Sequence, residues 1–278
     1  MRPLLSAAAS PSACPAQAYE RNHEKDPKDG QHCAGHEHGV ALSTVRRCRR
    51  CSIYPAQQAR IADYLVAHPD ILIEVSKKLQ ARQQTYLQSA LKTHRLLMQL
   101  DGVPVKAPGD SKVIVTEFFN YDCITCSMMA PVMENVMTAN AGVRFAFRDW
   151  TIFAARYPES AQASRRDLSI YRKQGANAYI AFHNGIYRTG HNEGKLTAED
   201  IEKTAAATGA DLASDDDNAV SGHITENNAV LAEMLGLTGT PGIIVMPAEN
   251  ATADNTTVIP GMVSGEEMQQ AIARAGKG

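Results

Sequence analysis

"SKVIVTEFFNYDCITCSMMAPVMENVMTAN", residues 111–140, places a β-rich run directly ahead of two cysteines, Cys123 and Cys126. The first ten residues read as a strand rich in Val, Ile and Phe. From Ser127 onward, Met129, Val132, Val136 and Met137 recur at helical steps. Beyond Gly142, "VRFAFRDW" (143–150) alternates: Val143, Phe145 and Phe147 face one way, Arg144 and Arg148 the other. The cysteines therefore sit at a strand-to-helix junction inside a β-α-β unit.

That position carries chemistry. A thiol at a helix N-terminus faces unpaired backbone N–H groups and the positive end of the helix dipole, which favour the thiolate. Cys123 is expected there as an exposed nucleophile, and Cys126, one turn on, as the shielded thiol that closes the disulfide. A disulfide spanning so short a ring gains little from loop closure, so a purely structural staple explains it poorly. Zinc needs two further ligands, and no second tight Cys/His pair follows in the domain. Strand, Cys-x-x-Cys and helix together favour a redox pair over a metal site or incidental thiols. Asp122 raises the thiol pKa if its carboxylate lies close to Cys123, and has no such effect if it points to solvent.

Far downstream, "TGTPGIIVMP" (238–247) is a turn running into an apolar strand. The setting of Thr240-Pro241 favours a cis peptide over an ordinary turn proline. Facing a cysteine pair, such a proline exposes backbone groups that an extended substrate can pair with, strand to strand. Between the two motifs, residues from about 154 to 236 read as helical. Gly175 stops one helix, Thr197 caps another with Asp200 in the reciprocal place, and Gly209 ends it. Residues 225–236 form a last helix of this insert. "TTVIPG" (256–261) is a short strand and "SGEEMQQAIARAG" (264–276) a capped terminal helix.

Ahead of the sheet, residues 56–100 are rich in helix formers. Pro69 ends one helix near Ala67 and opens the next from its first turn. Leu72, Val75, Leu79 and Tyr86 fall on one stripe. This stripe needs cover, from the following domain or from a partner chain. "DGVPVKAPGD" (101–110) reads as a linker or turn.

The remainder is less specific. Residues 19–55 are polar and aperiodic, with His23, His32, His36 and His38, and read as a disordered linker. "MRPLLSAAASPSACPAQA" resembles a poor export signal with a possible cleavage after Ala18. Cys48 and Cys51 repeat the Cys-x-x-Cys spacing within "RRCRRC". With His32, Cys33, His36 and His38 they could hold copper(I) or zinc, form a shuttle disulfide, or have no specific role; no spacing closely matches a known closed site. His183, His191 and His223 in the insert read as surface or capping residues. The chain has 278 residues and a formal charge of −2. That balance gives no reason to expect nucleic acid or a membrane surface as partner. No run of 18 apolar residues suggests a membrane span.

Glu117 through Pro131, the long helical insert and Gly239-Thr240-Pro241-Gly242 resemble the bacterial DsbA-type thiol–disulfide oxidoreductases. The resemblance covers about residues 57–275. The helical start, "IADYLVAHPDILIEVSKKLQ", resembles the subgroup that includes the suppressor-of-copper-sensitivity protein C. It implies an α/β thioredoxin-like fold with a DsbA-type helical insertion, preceded by an N-terminal helical segment. The expected organisation is an extension over 1–55, a helical oligomerisation segment over 56–100 and a thioredoxin-like domain over 101–278. The resemblance further implies catalytic Cys123 and Cys126, with Glu117 as the buried acid beneath them, and a cis Pro241 preceded by Thr240. No cofactor beyond the Cys123–Cys126 redox disulfide, and no metal, is expected. Expected partners are substrate proteins with thiols or disulfides, a membrane redox protein and further copies of the chain; the expected address is the periplasm. Two departures matter: residues 1–55 match nothing in the family, and the residues between the cysteines differ. Strong oxidases of this family carry histidine where this chain has Thr125, which offers only a hydroxyl hydrogen bond. A less stabilised thiolate means a less oxidising disulfide, so an isomerase, a reductase or a moderate oxidase is expected. A metal-handling thiol chaperone is the alternative.

Overall fold

A computed structural model describes residues 53–106, 109–209 and 218–277. The cysteines at 14, 33, 48 and 51, the four early histidines and the expected cleavage site lie outside them. Internal contacts divide the chain after Ala59, and the sheet with its covering helices belongs to the second unit, Arg60–Gly278.

A five-stranded sheet forms the centre. Its strands are β1 (Val105–Lys106), β2 (Val113–Phe119), β3 (Arg144–Asp149), β4 (Gly242–Pro247) and β5 (Thr257–Pro260), in spatial order β1-β3-β2-β4-β5. β2 and β3 run parallel, and every other pairing is antiparallel. The crossover between the parallel strands is α4 (Ile124–Ala139), as a parallel pair requires. β2 is buried at every position, the mark of a central strand covered on both faces.

The alternation of β2 sorts the core into two layers. Val113, Val115 and Phe119 face α4 and the terminal helix α9 (Gly265–Ala275), together with Phe145 and Phe147 of β3. Ile114 and Phe118 face the other way, against Tyr86, Ala90, Leu97, Leu231 and Leu235. That second layer comes from α2 (Pro69–Lys92), the short α3 (His94–Leu97) and α8 (Asn218–Met234). Glu117 lies between Val115 and Phe119 along the strand, so pleat geometry sends it to the α4 side, beneath the cysteines.

The helical insert is α5 (Pro158–Gln174), α6 (Ala176–Arg188), α7 (Ala198–Ala207) and α8. Gly175, at φ 81°, separates α5 from α6, a conformation that glycine adopts without the Cβ penalty. Thr197 and Asp200 form a reciprocal capping box on α7, as do Ser264 and Glu267 on α9.

Several expectations are corrected. The segment 101–110 is not only a turn: Val105 and Lys106 pair with Ala146 and Phe145 as an edge strand. The last insert helix begins at Asn218, seven residues before the expected start. Arg148, on the face opposite Phe145 and Phe147, is buried, because α3 and α8 cover that face of β3. Its guanidinium donates to the carbonyls of Leu97 (3.1 Å) and Gln99 (2.9 Å) and to Asn228 Oδ1 (3.0 Å). Burial lowers its pKa to about 10. His183 is not a surface residue either; it is buried among the rings of Phe119, Tyr121, Phe147, Tyr179 and Tyr187.

Ahead of α2 runs α1 (Ile53–Ala67), and the apolar stripe on α2 divides. Tyr86 and Ala90 are buried against the sheet layer, whereas Ile61, Leu72, Ile73, Val75 and Leu79 are exposed. α2 is tied down where it meets the domain: Arg82 donates to Tyr86 Oη and Thr238 Oγ1, and Gln83 donates to the Val258 carbonyl.

Candidate active site

Cys123 is the N-cap of α4, in extended backbone conformation, and its Sγ accepts the Cys126 N–H at 3.2 Å. A sulfur thus occupies the place where a side-chain oxygen normally satisfies an orphan helix donor. Both cysteines are free thiols. Cys123 is 5 % exposed and Cys126 1 %. The expected ranking holds, yet Cys123 is far more covered than an exposed nucleophile, because the Thr240-Pro241 loop folds over it.

That loop contains a cis peptide between Thr240 and Pro241. It sets the Thr240 carbonyl 3.3 Å from Cys123 Sγ and 3.1 Å from Thr125 Oγ1. Thr125 Oγ1 lies 3.0 Å from Cys123 Sγ. Cys123, Thr125 and the Thr240 carbonyl therefore form a closed triangle.

The electrostatics separate the two thiols. Cys123 is lowered to about 6, first by the hydrogen bond from the Cys126 thiol, against the opposing effect of burial. Hydrogen bonds from Thr125 and the Cys126 N–H, and the Thr240 side chain beside the sulfur, add to the lowering. Cys126 is pushed well above the ordinary thiol range, first by burial, then by donating to Cys123 and by the charge there. Glu117 is raised to about 8 by burial and by the Cys123 charge. Beneath the pair, the Tyr187 hydroxyl donates to the Asn120 carbonyl at 3.1 Å, and the Tyr121 hydroxyl donates to Asp167 at 2.6 Å.

Asp122 does not point to solvent. It is buried, and its Oδ1 accepts the Gly194 N–H at 2.8 Å while its carbonyl accepts the Glu193 N–H at 3.0 Å. It fastens the α6–α7 loop beside the cysteines. The sequence offered no signal for this contact, nor for Tyr187 or Tyr121, since each partner is distant along the chain. Apolar surface adjoins the thiols: Ile124 and Met128 of α4 are exposed. Among the described residues no group of three His, Cys, Asp or Glu is placed to hold a metal. No described helix is long and apolar enough to cross a membrane.

Comparison with known proteins fits this architecture. Residues 108–261 match the thioredoxin family model, and residues 58–85 match the N-terminal domain of copper resistance protein ScsC. The crystal structure of BcfH from Salmonella enterica Typhimurium is similar at 32% identity and TM-score 0.64, over 82% of this chain and 98% of BcfH. ScsC of Proteus mirabilis, in a transitional conformation, shares the fold at 22% identity and TM-score 0.56, over 82% of this chain and 99% of that one. The thiol-disulfide exchange protein alpha-DsbA2 of Wolbachia pipientis does so at 19% identity and TM-score 0.59, over 69% and 97%. A comparison with curated proteins found no match.

Proposed function

We propose, from the premise that this chain belongs to the thioredoxin family and carries an ScsC-type N-terminal segment, that it is a thiol–disulfide oxidoreductase of the cell envelope. The observation that carries the reading is Cys123 capping α4 with its sulfur while the Thr240 carbonyl closes over it.

In the reductive direction, the Cys123 thiolate attacks one sulfur of a substrate disulfide. A Cys123–substrate bond forms, the substrate S–S bond breaks, and the second substrate sulfur leaves as a thiolate. In the mixed disulfide Cys123 no longer carries the charge that helps keep Glu117 protonated; Cys126 gives its proton to the ionised Glu117 carboxylate and attacks Cys123 Sγ. The remaining substrate thiolate leaves, the substrate has gained two electrons, and Cys123–Cys126 is a disulfide. Oxidation of a dithiol is the same sequence reversed. In isomerisation the freed substrate thiolate attacks a different sulfur, and Cys123 returns without net electron transfer.

A Cys123 value near 6 lies between about 7 for thioredoxin and about 3.5 for DsbA. It supports a moderate oxidant or an isomerase rather than a strong oxidase. The exposed apolar positions from Ile61 to Leu79 support association of several copies through their N-terminal helices, so that more than one redox site meets a misfolded client. The periplasm, substrate proteins with thiols or disulfides and a membrane protein that resets the redox state complete the proposal. The alternative is a metal-handling chaperone. It takes support from the copper resistance named in the matching N-terminal domain, and bound metal in stoichiometric amount after purification would favour it.

Recovery of scrambled ribonuclease tests the reading. The wild type is expected to restore activity and Cys123→Ala to lose it. An inactive wild type, or an active Cys123→Ala, overturns the proposal.

A further inference from the structure

The triangle at the redox site contains one hydroxyl proton and two acceptors for it. Thr125 Oγ1 lies 3.0 Å from Cys123 Sγ and 3.1 Å from the Thr240 carbonyl. A threonine hydroxyl donates only once. When Cys123 is a thiol, its own S–H points at the Thr240 carbonyl, 3.3 Å away, and the Thr125 hydroxyl donates to the same oxygen. When Cys123 loses its proton to water, the carbonyl loses that donor. The thiolate is then the stronger acceptor, since hydrogen bonds to an ionised partner are roughly twice as strong as neutral ones. The Thr125 hydroxyl rotates toward sulfur, and the carbonyl loses its second donor as well.

The consequence lies in what that carbonyl faces. Thr240 precedes β4 and is half-buried, and no backbone N–H among the described residues donates to its carbonyl. An extended segment carrying the disulfide to be attacked can supply one. We propose that Thr125 is a positioning residue that couples ionisation of Cys123 to unmasking of the Thr240 carbonyl, so that the site presents its strand-pairing acceptor when its nucleophile is ready. By linkage, a strand that takes the freed carbonyl favours the thiolate in return. The inference rests on reading the site as one of thiol–disulfide exchange.

Other groups act on Cys123 as well. Cys126 acts from α4 through its thiol and its N–H, the buried Thr240 hydroxyl lies beside the sulfur, and the Glu117 carboxyl from β2 and the Tyr187 hydroxyl from α6 couple to its charge. Asp122 is engaged with Gly194. None of these carries a proton that must choose between the sulfur and the Thr240 carbonyl, which makes Thr125 the residue to vary.

The test is a pH titration of the reduced, isotope-labelled full chain by nuclear magnetic resonance. It follows the Thr240 carbonyl carbon and the Cys123 Cβ in the wild type, Thr125→Val and Thr125→Ser. The thiolate charge alone moves the carbonyl signal in all three, so the comparison between variants is decisive. In the wild type, both signals are expected to share one midpoint, with the carbonyl moving upfield as it loses its donors. Thr125→Ser keeps this behaviour. Thr125→Val raises the Cys123 midpoint by about one pH unit, as loss of a hydrogen bond to a charged group requires, and shrinks the carbonyl step. A Thr125→Val protein with the wild-type midpoint and step overturns the inference, as does a wild-type carbonyl that fails to titrate with Cys123. Scrambled ribonuclease judges the exchange reading separately: a wild type that titrates as described yet leaves that substrate untouched upholds the hydroxyl device and rejects the exchange.

Discussion

Asp122 Oδ1 accepts the backbone N–H of Gly194 at 2.8 Å, and this bond joins the residue before the nucleophile to the loop between α6 and α7. Glu193 beside it holds φ 54° and Gly194 φ 85°, so the loop depends on this anchor to keep its shape. Asp122→Ala should cost about 1.5–3 kcal/mol, the range for a hydrogen bond to a charged group. The Glu193 and Gly194 amides should also lose protection from hydrogen exchange. Asp122→Asn keeps an acceptor oxygen and should restore most of both.

Arg148 supplies a prediction of larger size. Its buried guanidinium satisfies the carbonyls at the end of α3 and the Asn228 side chain. Arg148→Ala removes the donors and leaves the buried Leu97 carbonyl and Asn228 Oδ1 without them, whereas the Gln99 carbonyl, at an exposed residue, can turn to water. Each stranded buried acceptor costs about 1–3 kcal/mol, so chemical denaturation should show a loss of about 3 kcal/mol or more. An effect within about 0.5 kcal/mol, the usual size for a surface substitution, would contradict the buried assignment.

Much of the site is local in sequence, and that part was legible. Strand β2, the cysteine pair and α4 follow one another within thirty residues, and their periods switch at Cys123. The cis peptide at Pro241 was readable from its setting ahead of an apolar strand. What escaped is non-local. Arg148 alternates with Phe147 like a solvent-facing residue, and only the arrival of α3 and α8 makes that face interior. His183 looks like any insert histidine until five aromatic rings surround it. Val105 and Lys106 sit in a Pro/Gly-rich stretch, and they become a strand only because β3 offers an edge. The covering of Cys123 needs Thr240, 117 residues away.

Stability against pH follows from the buried acids. Asp149 is raised to about 7 by burial, and Asp167, next to it, is raised well above the carboxylate range by burial and the Asp149 charge. Glu117 is raised to about 8. A folded value above the unfolded one gives stability that is complete below about pH 4 and is lost as pH rises through about 7 to 8. His183 acts in the opposite sense: burial lowers it to about 3, so its contribution is present above about pH 6.5 and is lost as pH falls toward 3. The melting temperature should therefore be highest on the acid side of neutrality. Asp167→Asn should flatten the alkaline fall, and a profile still rising from pH 6 to 8 would contradict these burials.

The exposed apolar run gives a test of assembly. Leu72, Val75 and Leu79 are exposed on α2, while the bonds from Arg82 and Gln83 hold the same helix to the domain farther along. A triple change of Leu72, Val75 and Leu79 to Ser should reduce the native mass to that of one chain. Disulfide reduction should persist while recovery of scrambled ribonuclease falls. A wild type that is already a single chain would remove the basis for association.

The most direct test is the ultraviolet thiolate absorbance of the reduced protein against pH. A stabilised Cys123 thiolate at the N-cap of α4 predicts a transition with a midpoint near 6, absent from Cys123→Ser and retained in Cys126→Ser with a higher midpoint, since the Cys126 thiol is its main stabiliser. A single transition at the ordinary thiol value of about 8.5, unchanged by Cys123→Ser, would contradict it.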